Sequence, residues 1–282
     1  MAPELSIIIV SYNVKDFLSN CIESIQNNFS SAEIIVVDNN SSDGSIEMLK
    51  EKLPLVKIIA NKENKGFSGA NNQGIAIAQS ENVLLLNPDT EIINSALNKM
   101  LEYLHKQNKL CVIGPKLLNS DHSLQISCWK FPGLLEMLLE LFYLHIIFGA
   151  RNYSTEKMKN DFEPEALSGA AMMFKKDLVN KIGGLDENLF WMDDVEFCYR
   201  AKKSGAKILY CPEAEIIHHS GKSSTSNQHI VISNQLISKF SLSNSTNTDD
   251  GNVDCLFNRL RLRNKIAFYQ PKLFGFAATH AA

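Results

Sequence analysis

The chain has 282 residues, of which 45% are hydrophobic and 21% charged, and carries a formal net charge of -3. That is too long for one small domain and ordinary for a globular protein, so one large α/β domain with an appended segment is expected. The charge disfavours a general nucleic-acid binder, and no apolar run reaches the ~20 uncharged residues of a spanning helix.

The pattern then alternates strand and helix. Leu5 to Ser11 is a continuous apolar run that suits a strand buried on both faces. A helix is predicted from Lys15 to Asn27, with Phe17, Leu18, Cys21, Ile22 and Ile25 on one side. Glu33 to Asp38 reads as a second buried strand, Ser42 to Ser45 as a turn, and a short helix runs to Lys52. Lys57 to Ala60 is a third strand, 66–79 loop then helix, Val83 to Leu86 a fourth strand, and Ile93 to Gln107 a further helix. This spacing implies right-handed βαβ crossovers and a mainly parallel sheet, whose ligands bind beyond the carboxyl ends of the strands.

Polar clusters stand at three of those ends: Ser11-Tyr12-Asn13, Asp38 to Gly44 with Asn40 among them, and Asn87-Pro88-Asp89. Asn, Asp, Ser and Gly make turns anywhere, but three clusters on one functional edge favour a site. The glycines of a dinucleotide fingerprint are missing after the first strand, and no P-loop is present. A carboxylate-rich pocket that accepts phosphate then calls for a divalent cation, with Asp89 the best-placed ligand. A second acidic cluster, Asp193-Asp194-Val195-Glu196, follows Phe190-Trp191-Met192 at the start of a predicted helix. An N-cap explains one of these aspartates, and the helix dipole accommodates Glu196. The six cysteines (Cys21, Cys111, Cys128, Cys198, Cys211, Cys255) form no C-x-x-C pair. Structural zinc is therefore not supported, and reduced thiols of a cytoplasmic protein are expected. The N-terminus has no basic flank or cleavage site of a secretion signal.

Taken in order, Ser-Tyr-Asn, Val-Asp-Asn-Asn-Ser-Ser-Asp-Gly, Asn-Lys-Gly-Phe-Ser-Gly-Ala-Asn-Asn-Gln-Gly at 64–74, Leu-Leu-Asn-Pro-Asp-Thr at 85–90, Ser168 to Met173, Asp193 to Glu196 and His218 to Gly221 resemble the family-2 glycosyltransferases of GT-A fold. The nearest subgroup is the rhamnosyltransferase-like enzymes of bacterial surface-polysaccharide synthesis. The likeness spans about residues 4 to 224. It implies a GT-A domain over 1–224, with a nucleotide-binding half (1–116) and an acceptor and catalytic half (117–224), then a linker and helical C-terminal extension over 225–282.

The resemblance also implies roles. Asp38 contacts the nucleotide base and Tyr12 lies against it. Ser11, Asn13, Asn40, Gly66, Asn71, Asn72, Asn87 and Asp89 complete the donor pocket. The usual D-x-D metal motif reads Asn87-Pro88-Asp89, which leaves Asp89 as the direct ligand of Mg²⁺ or Mn²⁺ and His218 as the residue that completes the shell, His219 pointing to the other face of its strand. Of the acid pair, Asp194 falls on the general base, and Asp193 contacts acceptor or orients the loop. The implied activity is metal-assisted, inverting transfer of a sugar, rhamnose being one candidate, from a dTDP- or UDP-sugar to a saccharide or lipid-linked saccharide hydroxyl. The rival readings are a nucleotidyltransferase-type enzyme, whose basic Gly-rich loop is missing, and a non-catalytic sugar-nucleotide-binding module.

A helix over 134–148 is too short and too acidic to span a bilayer. It suits a membrane surface, an acceptor groove, the core or a homodimer interface, with Lys130, Arg151, Lys157 and Lys159 flanking it. A basic helix with Arg259, Arg261, Arg263 and Lys265 is expected within 256–270, facing acceptor diphosphate, lipid or solvent. The expected location is cytoplasmic, with peripheral contact at the inner face of the membrane.

Overall fold

The computed structural model describes residues 3–131, 153–189 and 192–219. The expected helices over 134–148 and 256–270, the extension from 225, and Phe190 and Trp191 lie outside the described residues.

The strands are β1 (Ser6–Ser11), β2 (Glu33–Asp38), β3 (Lys57–Ala60), β4 (Asn82–Leu86), β5 (Thr90–Ile92), β6 (Cys111–Leu118), β7 (Leu124–Gln125), β8 (Cys128–Trp129), β9 (Ala166–Leu167), β10 (Ala171–Lys175) and β11 (Lys207–His218). The helices are α1 (Lys15–Asn28), α2 (Ser45–Lys52), α3 (Gly66–Ile77), α4 (Ala96–His105), α5 (Lys176–Ile182) and α6 (Asp193–Lys203), with a 3₁₀ turn at Lys157–Lys159. The main sheet runs β3-β2-β1-β4-β10-β6-β11-β5, with β7 on β6, and β8 pairs β9 separately. The four strands read from the sequence are mutually parallel. Beyond them β10 is antiparallel to β4 and β6, whereas β11 runs parallel to β6.

Both faces of the sheet are covered, which explains the unbroken apolar runs. Ile7, Ile9, Val36, Leu84 and Leu86 share a buried cluster with Leu18, Ile22 and Ile25 of α1, Leu49 of α2, and Leu97 and Met100 of α4. Ile8, Ile35, Val37 and Leu85 pack instead with Ala70 and Ile75 of α3, Leu178 of α5, and Phe197 and Ala201 of α6. Helix α3 lies close on β1. A Cβ added at Gly74 would stand 2.4 Å from an Ile8 methyl, so only glycine permits that approach.

Two boundaries differ from the sequence expectation. The stretch from Gly66 is helical from its first residue, and the loop lies before it, over 61–65. The helix expected from Ile93 begins at Ala96, because Asn94 and Ser95 stand in the left-handed region, at φ 51° and 56°. Thr90–Ile92, just before it, pairs as an edge strand with β11, His218 opposite Thr90 and Ile216 opposite Ile92.

The amino edge of the sheet is locked by Glu33, which is buried between strands. Its carboxylate accepts hydrogen bonds from the Ser6 hydroxyl, from Lys57 Nζ at 2.5 Å and from the Gln79 N–H at 2.8 Å. Burial opposes ionisation, but the Gln79 N–H, the Lys57 ammonium and the Ser6 hydroxyl outweigh it and hold the carboxyl below its ordinary range. Glu33→Ala should therefore cost about 2 kcal/mol at neutral pH. The deficit is full above the ordinary carboxylate range and shrinks in acid, as pH falls through the depressed value. Urea titrations of both proteins at pH 7 and pH 3 check this; equal midpoints at pH 7 would contradict it.

Candidate active site

The carboxyl ends of β1, β2 and β4, the end of β11, the entry to β10 and the start of α6 carry the candidate residues. Hydrogen bonds link Asn39 to Gly66, Ser68 to Asp193, Gly169 to Asp194 and Asn87 to Ala170, and the polar space they frame is the candidate cleft. Ser11 and Asp38 are register partners at the ends of β1 and β2, both fully buried. Asp38 Oδ1 accepts from the Ser41 N–H at 2.8 Å, while Asp38 Oδ2 and the Ser11 hydroxyl find no partner among the described residues. Buried polar atoms of this kind are costly unless something meets them, so they mark a ligand position. Tyr12 is half-buried beside them. Asn13, in the left-handed region at φ 54°, stitches the two loops: its N–H donates to Ser41 Oγ at 2.9 Å and its Oδ1 accepts from Ser42 N–H at 2.8 Å. Asn40 is also left-handed, at φ 70°, and exposed. Asp43, by contrast, holds the start of α2 through Ser45 and takes the Lys15 N–H, which is a structural use.

Helix α3 forms a wall of the cleft. Asn39 braces its start, donating to Gly66 O at 3.1 Å. Asn71 is buried and donates to Phe67 O at 3.0 Å. The position of Asn72 differs from the donor contact expected of it. Its Oδ1 accepts from Leu185 N–H at 2.9 Å, and its Nδ2 donates to Leu185 O and to Glu187 Oε1, each at 2.9 Å. The amide is fully engaged as a clamp on the 183–189 loop. Gly184 makes the clamp possible, since a Cβ there would meet Asn72 Oδ1 at 2.3 Å.

The acidic pair opens α6. Met192 precedes it in the left-handed region, at φ 66°, and turns the chain so that both carboxyls enter the cleft. Asp193 Oδ2 accepts from the Ser68 hydroxyl at 2.6 Å, and Asp194 Oδ2 from the Gly169 N–H at 2.8 Å. A Cβ at Gly169 would lie 3.3 Å from that of Asp194, so the two backbones meet closely there. Glu196, read from the sequence as a first-turn acid favoured by the helix dipole, is buried and accepts from Arg200 Nε at 2.8 and 2.9 Å. Arg200 reaches on to Ile182 O and Gly184 O, tying the loop to α6.

The metal-motif residues stand next door. Asn87 N–H donates to Ala170 O at 2.9 Å, so Gly169 and Ala170 join Asp194 on one side to Asn87-Pro88-Asp89 on the other. Asp89 is fully buried, and its Oδ1 lies 3.4 Å from His218 Nε2, which also stands 3.4 Å from Asn87 Nδ2. His219 takes a separate set of partners, Ser120 and Glu91. Among the described residues no group of three or more His, Cys, Asp and Glu could hold a metal. Asp89 and His218 nevertheless fit a cation that takes its remaining ligands from a diphosphate, as Mg²⁺ commonly does. Adjacent ligand atoms on such an ion lie about 3 Å apart for bonds of about 2.1 Å, close to the separation found.

The model of Glycosyl transferase family 2 matches residues 6–183 of this chain. The chain belongs to that family. It is similar to the low-salt glycan biosynthesis hexosyltransferase Agl10 of Haloferax volcanii, 28% identical over 78% of this chain and 68% of the relative. It is also similar to the N-acetylglucosaminyl-diphospho-decaprenol L-rhamnosyltransferase of Mycobacterium tuberculosis, 24% identical over 79% of this chain and 78% of that protein. The GalNAc(5)-diNAcBac-PP-undecaprenol beta-1,3-glucosyltransferase of Campylobacter jejuni is 35% identical over 36% of this chain and 34% of its own length. The glycosyltransferase is thus the enzyme that the ordered motifs implied, and the nucleotidyltransferase alternative falls away. No helix among the described residues is long and apolar enough to cross a membrane.

The acid pair of this glycosyltransferase is electrostatically loaded. Burial, then the neighbouring Asp193 charge, pushes Asp194 up to about 7 against the help of the Gly169 and Val195 N–H groups. Asp193 is raised chiefly by burial. A carboxyl raised on folding favours the folded state at low pH and ceases to do so as pH climbs through its folded value. The stability difference between wild type and Asp194→Asn should therefore shift toward the variant between pH 5 and pH 8, by on the order of 2 kcal/mol given solvent access from the cleft. Thermal melts of both proteins across that range check it; parallel pH curves would contradict it.

Proposed function

We propose that this family 2 glycosyltransferase is an inverting, metal-assisted enzyme. It takes a sugar, rhamnose being one candidate, from a dTDP- or UDP-sugar to a hydroxyl of a saccharide carried on a lipid diphosphate. The carrying observation is the bridge through Gly169 and Ala170, which keeps the Asp89–His218 pair and the Asp193–Asp194 pair on one cleft. The names of two relatives, ending in diphospho-decaprenol and PP-undecaprenol, support an acceptor of that class. The GT-A domain is read over 1–224, with 225–282 as an extension that meets the acceptor or the membrane surface.

In this reading the orphaned Asp38 carboxylate oxygen and Ser11 hydroxyl receive the edge of the base, with Tyr12 against its face. Asn13, Asn40 and Gly66 shape the rim of the donor pocket. Asn71 and Asn72 act through α3 and the loop it clamps. Asn87, Asp89 and His218 hold the diphosphate end through the cation, Mg²⁺ or Mn²⁺, which when bound supplies Lewis-acid stabilisation of the departing diphosphate. Asp194 accepts the proton of the acceptor hydroxyl as its oxygen bonds to the anomeric carbon. The bond from that carbon to the diphosphate oxygen breaks in the same step, its electron pair leaving with the nucleotide. One displacement inverts the anomeric centre, and no second carboxylate nucleophile is required. The N-terminus of α6 favours the ionised form of Asp194, and Ser68 fixes Asp193 beside it.

The high setting of Asp194 is useful for this role, since a base works best near the operating pH. Asp194→Asn should keep donor binding and lose transfer by about 10²–10⁴-fold, whereas Asp89→Ala should lose Mn²⁺-dependent donor binding. Calorimetry with the nucleotide-sugar and a transfer assay separate the two; near-normal transfer by Asp194→Asn rejects the base, and unchanged donor affinity of Asp89→Ala with Mn²⁺ rejects the metal ligand. The wild-type rate should rise with pH through about 7. A rate flat between pH 5 and 8 would count against Asp194.

A further inference from the structure

His218 must offer Nε2 as a lone pair if it is to face a cation, because a ring nitrogen that carries hydrogen can only donate. The hairpin between β6 and β7 decides which nitrogen carries it. Its loop starts from Asp121, whose carboxylate Oδ1 accepts the Ser123 hydroxyl at 2.6 Å and the Ser123 N–H at 3.0 Å. With its proton directed to Asp121, Ser123 Oγ accepts Asn119 Nδ2 at 2.9 Å. Asn119 therefore turns its carbonyl oxygen to Gln125, and accepts Gln125 Nε2 at 2.8 Å. Gln125 Nε2 also donates to the backbone oxygen of His218 at 3.2 Å. Its amide has only one orientation left, with Oε1 as an acceptor 2.7 Å from His218 Nδ1.

We propose that Gln125 is a positioning residue, held by the Asp121–Ser123–Asn119 chain, that fixes His218 as its Nδ1–H tautomer and presents the Nε2 lone pair to the cation beside Asp89. The proposal rests on the metal reading given above. Each link has one direction: a carboxylate can only accept, so the polarity of every group after it is set. Nε2 faces a donor, Asn87 Nδ2, and an acceptor, Asp89 Oδ1, each at 3.4 Å, so the shorter 2.7 Å contact of Nδ1 with Gln125 Oε1 carries the assignment. Partners on the far nitrogen of a metal-binding histidine commonly set its tautomer and orientation, and removing them costs about 10–100-fold in metal affinity. Strand β7 is only two residues long. Its pairing with Leu117 and Leu118 places Gln125 at the metal edge of the sheet.

The test uses the full chain with ¹⁵N-labelled histidine, free of metal, and reads the two ring nitrogens of His218, assigned by comparison with His218→Ala. The expected spectrum shows Nδ1 protonated and Nε2 bare. Gln125→Leu should lose this exclusive tautomer and weaken Mn²⁺ binding about 10–100-fold, measured by loss of the free-ion electron paramagnetic resonance signal with dTDP or UDP present. A wild-type ring protonated at Nε2 overturns the proposal without any variant, and so does a Gln125→Leu protein with an unchanged tautomer. If the tautomer is as stated but neither His218→Ala nor Gln125→Leu alters Mn²⁺ affinity, the cation reading itself fails. That result is distinguishable from a wrong tautomer.

Discussion

Two consecutive peptide groups hold the chemistry of this protein together. Gly169 donates its N–H to the Asp194 carboxylate, and Ala170 offers its carbonyl to the N–H of Asn87. Both follow from β10 entering the sheet antiparallel to β4, with Ala171 opposite Leu86. The reversal brings the start of β10 to the carboxyl end of β4, where the parallel half of the sheet already gathers its polar loops. Residues 87 and 169 are thereby neighbours, and α6, packed on β9 and β11, delivers residues 193 and 194 to the same place.

Electrostatics explains why these pieces belong together. Four aspartates, Asp38, Asp89, Asp193 and Asp194, line the strand-end loops of one cleft, and the cations fixed nearby are engaged elsewhere, Arg200 with Glu196 and Lys116 with Glu215. In the proposed reading a divalent ion offsets the repulsion between these carboxylates and a diphosphate. Burial resists ionisation of Asp193 and Asp194, and the neighbouring Asp193 charge lifts Asp194 further. In the proposed mechanism the same acidity equips Asp194 to take a proton near neutral pH.

Much of this was legible from residues alone. The apolar runs at Leu5 to Ser11 and Glu33 to Asp38 marked buried parallel strands, and their polar ends marked the site, because a strand buried on both faces admits no other pattern. The proposal that Asp89, Asp194 and His218 share one site came through ordered motifs. The second half of the sheet was not read: β5, β6, β10 and β11 depend on pairing between distant segments. Asn72 misled because a motif position says nothing of where an amide points, and its clamp on Leu185 is visible only once α3 and the 183–189 loop meet. Ser68 lay within a recognised stretch, yet its bond to Asp193 joins positions 125 residues apart. Gln125 carried no signal at all, as one polar residue in a two-residue strand.

The central claim is that a single cleft holds the cation at residues 89 and 218 and the base at residue 194. Anomalous diffraction at the manganese edge, from crystals of the protein with Mn²⁺ and an unreactive nucleotide-sugar analogue, tests it most directly. The account predicts one manganese peak within bonding distance of Asp89 and His218 Nε2, bridged by the diphosphate, with the anomeric carbon facing Asp194. A peak elsewhere, or an anomeric carbon turned away from Asp194 across the cleft, would contradict it.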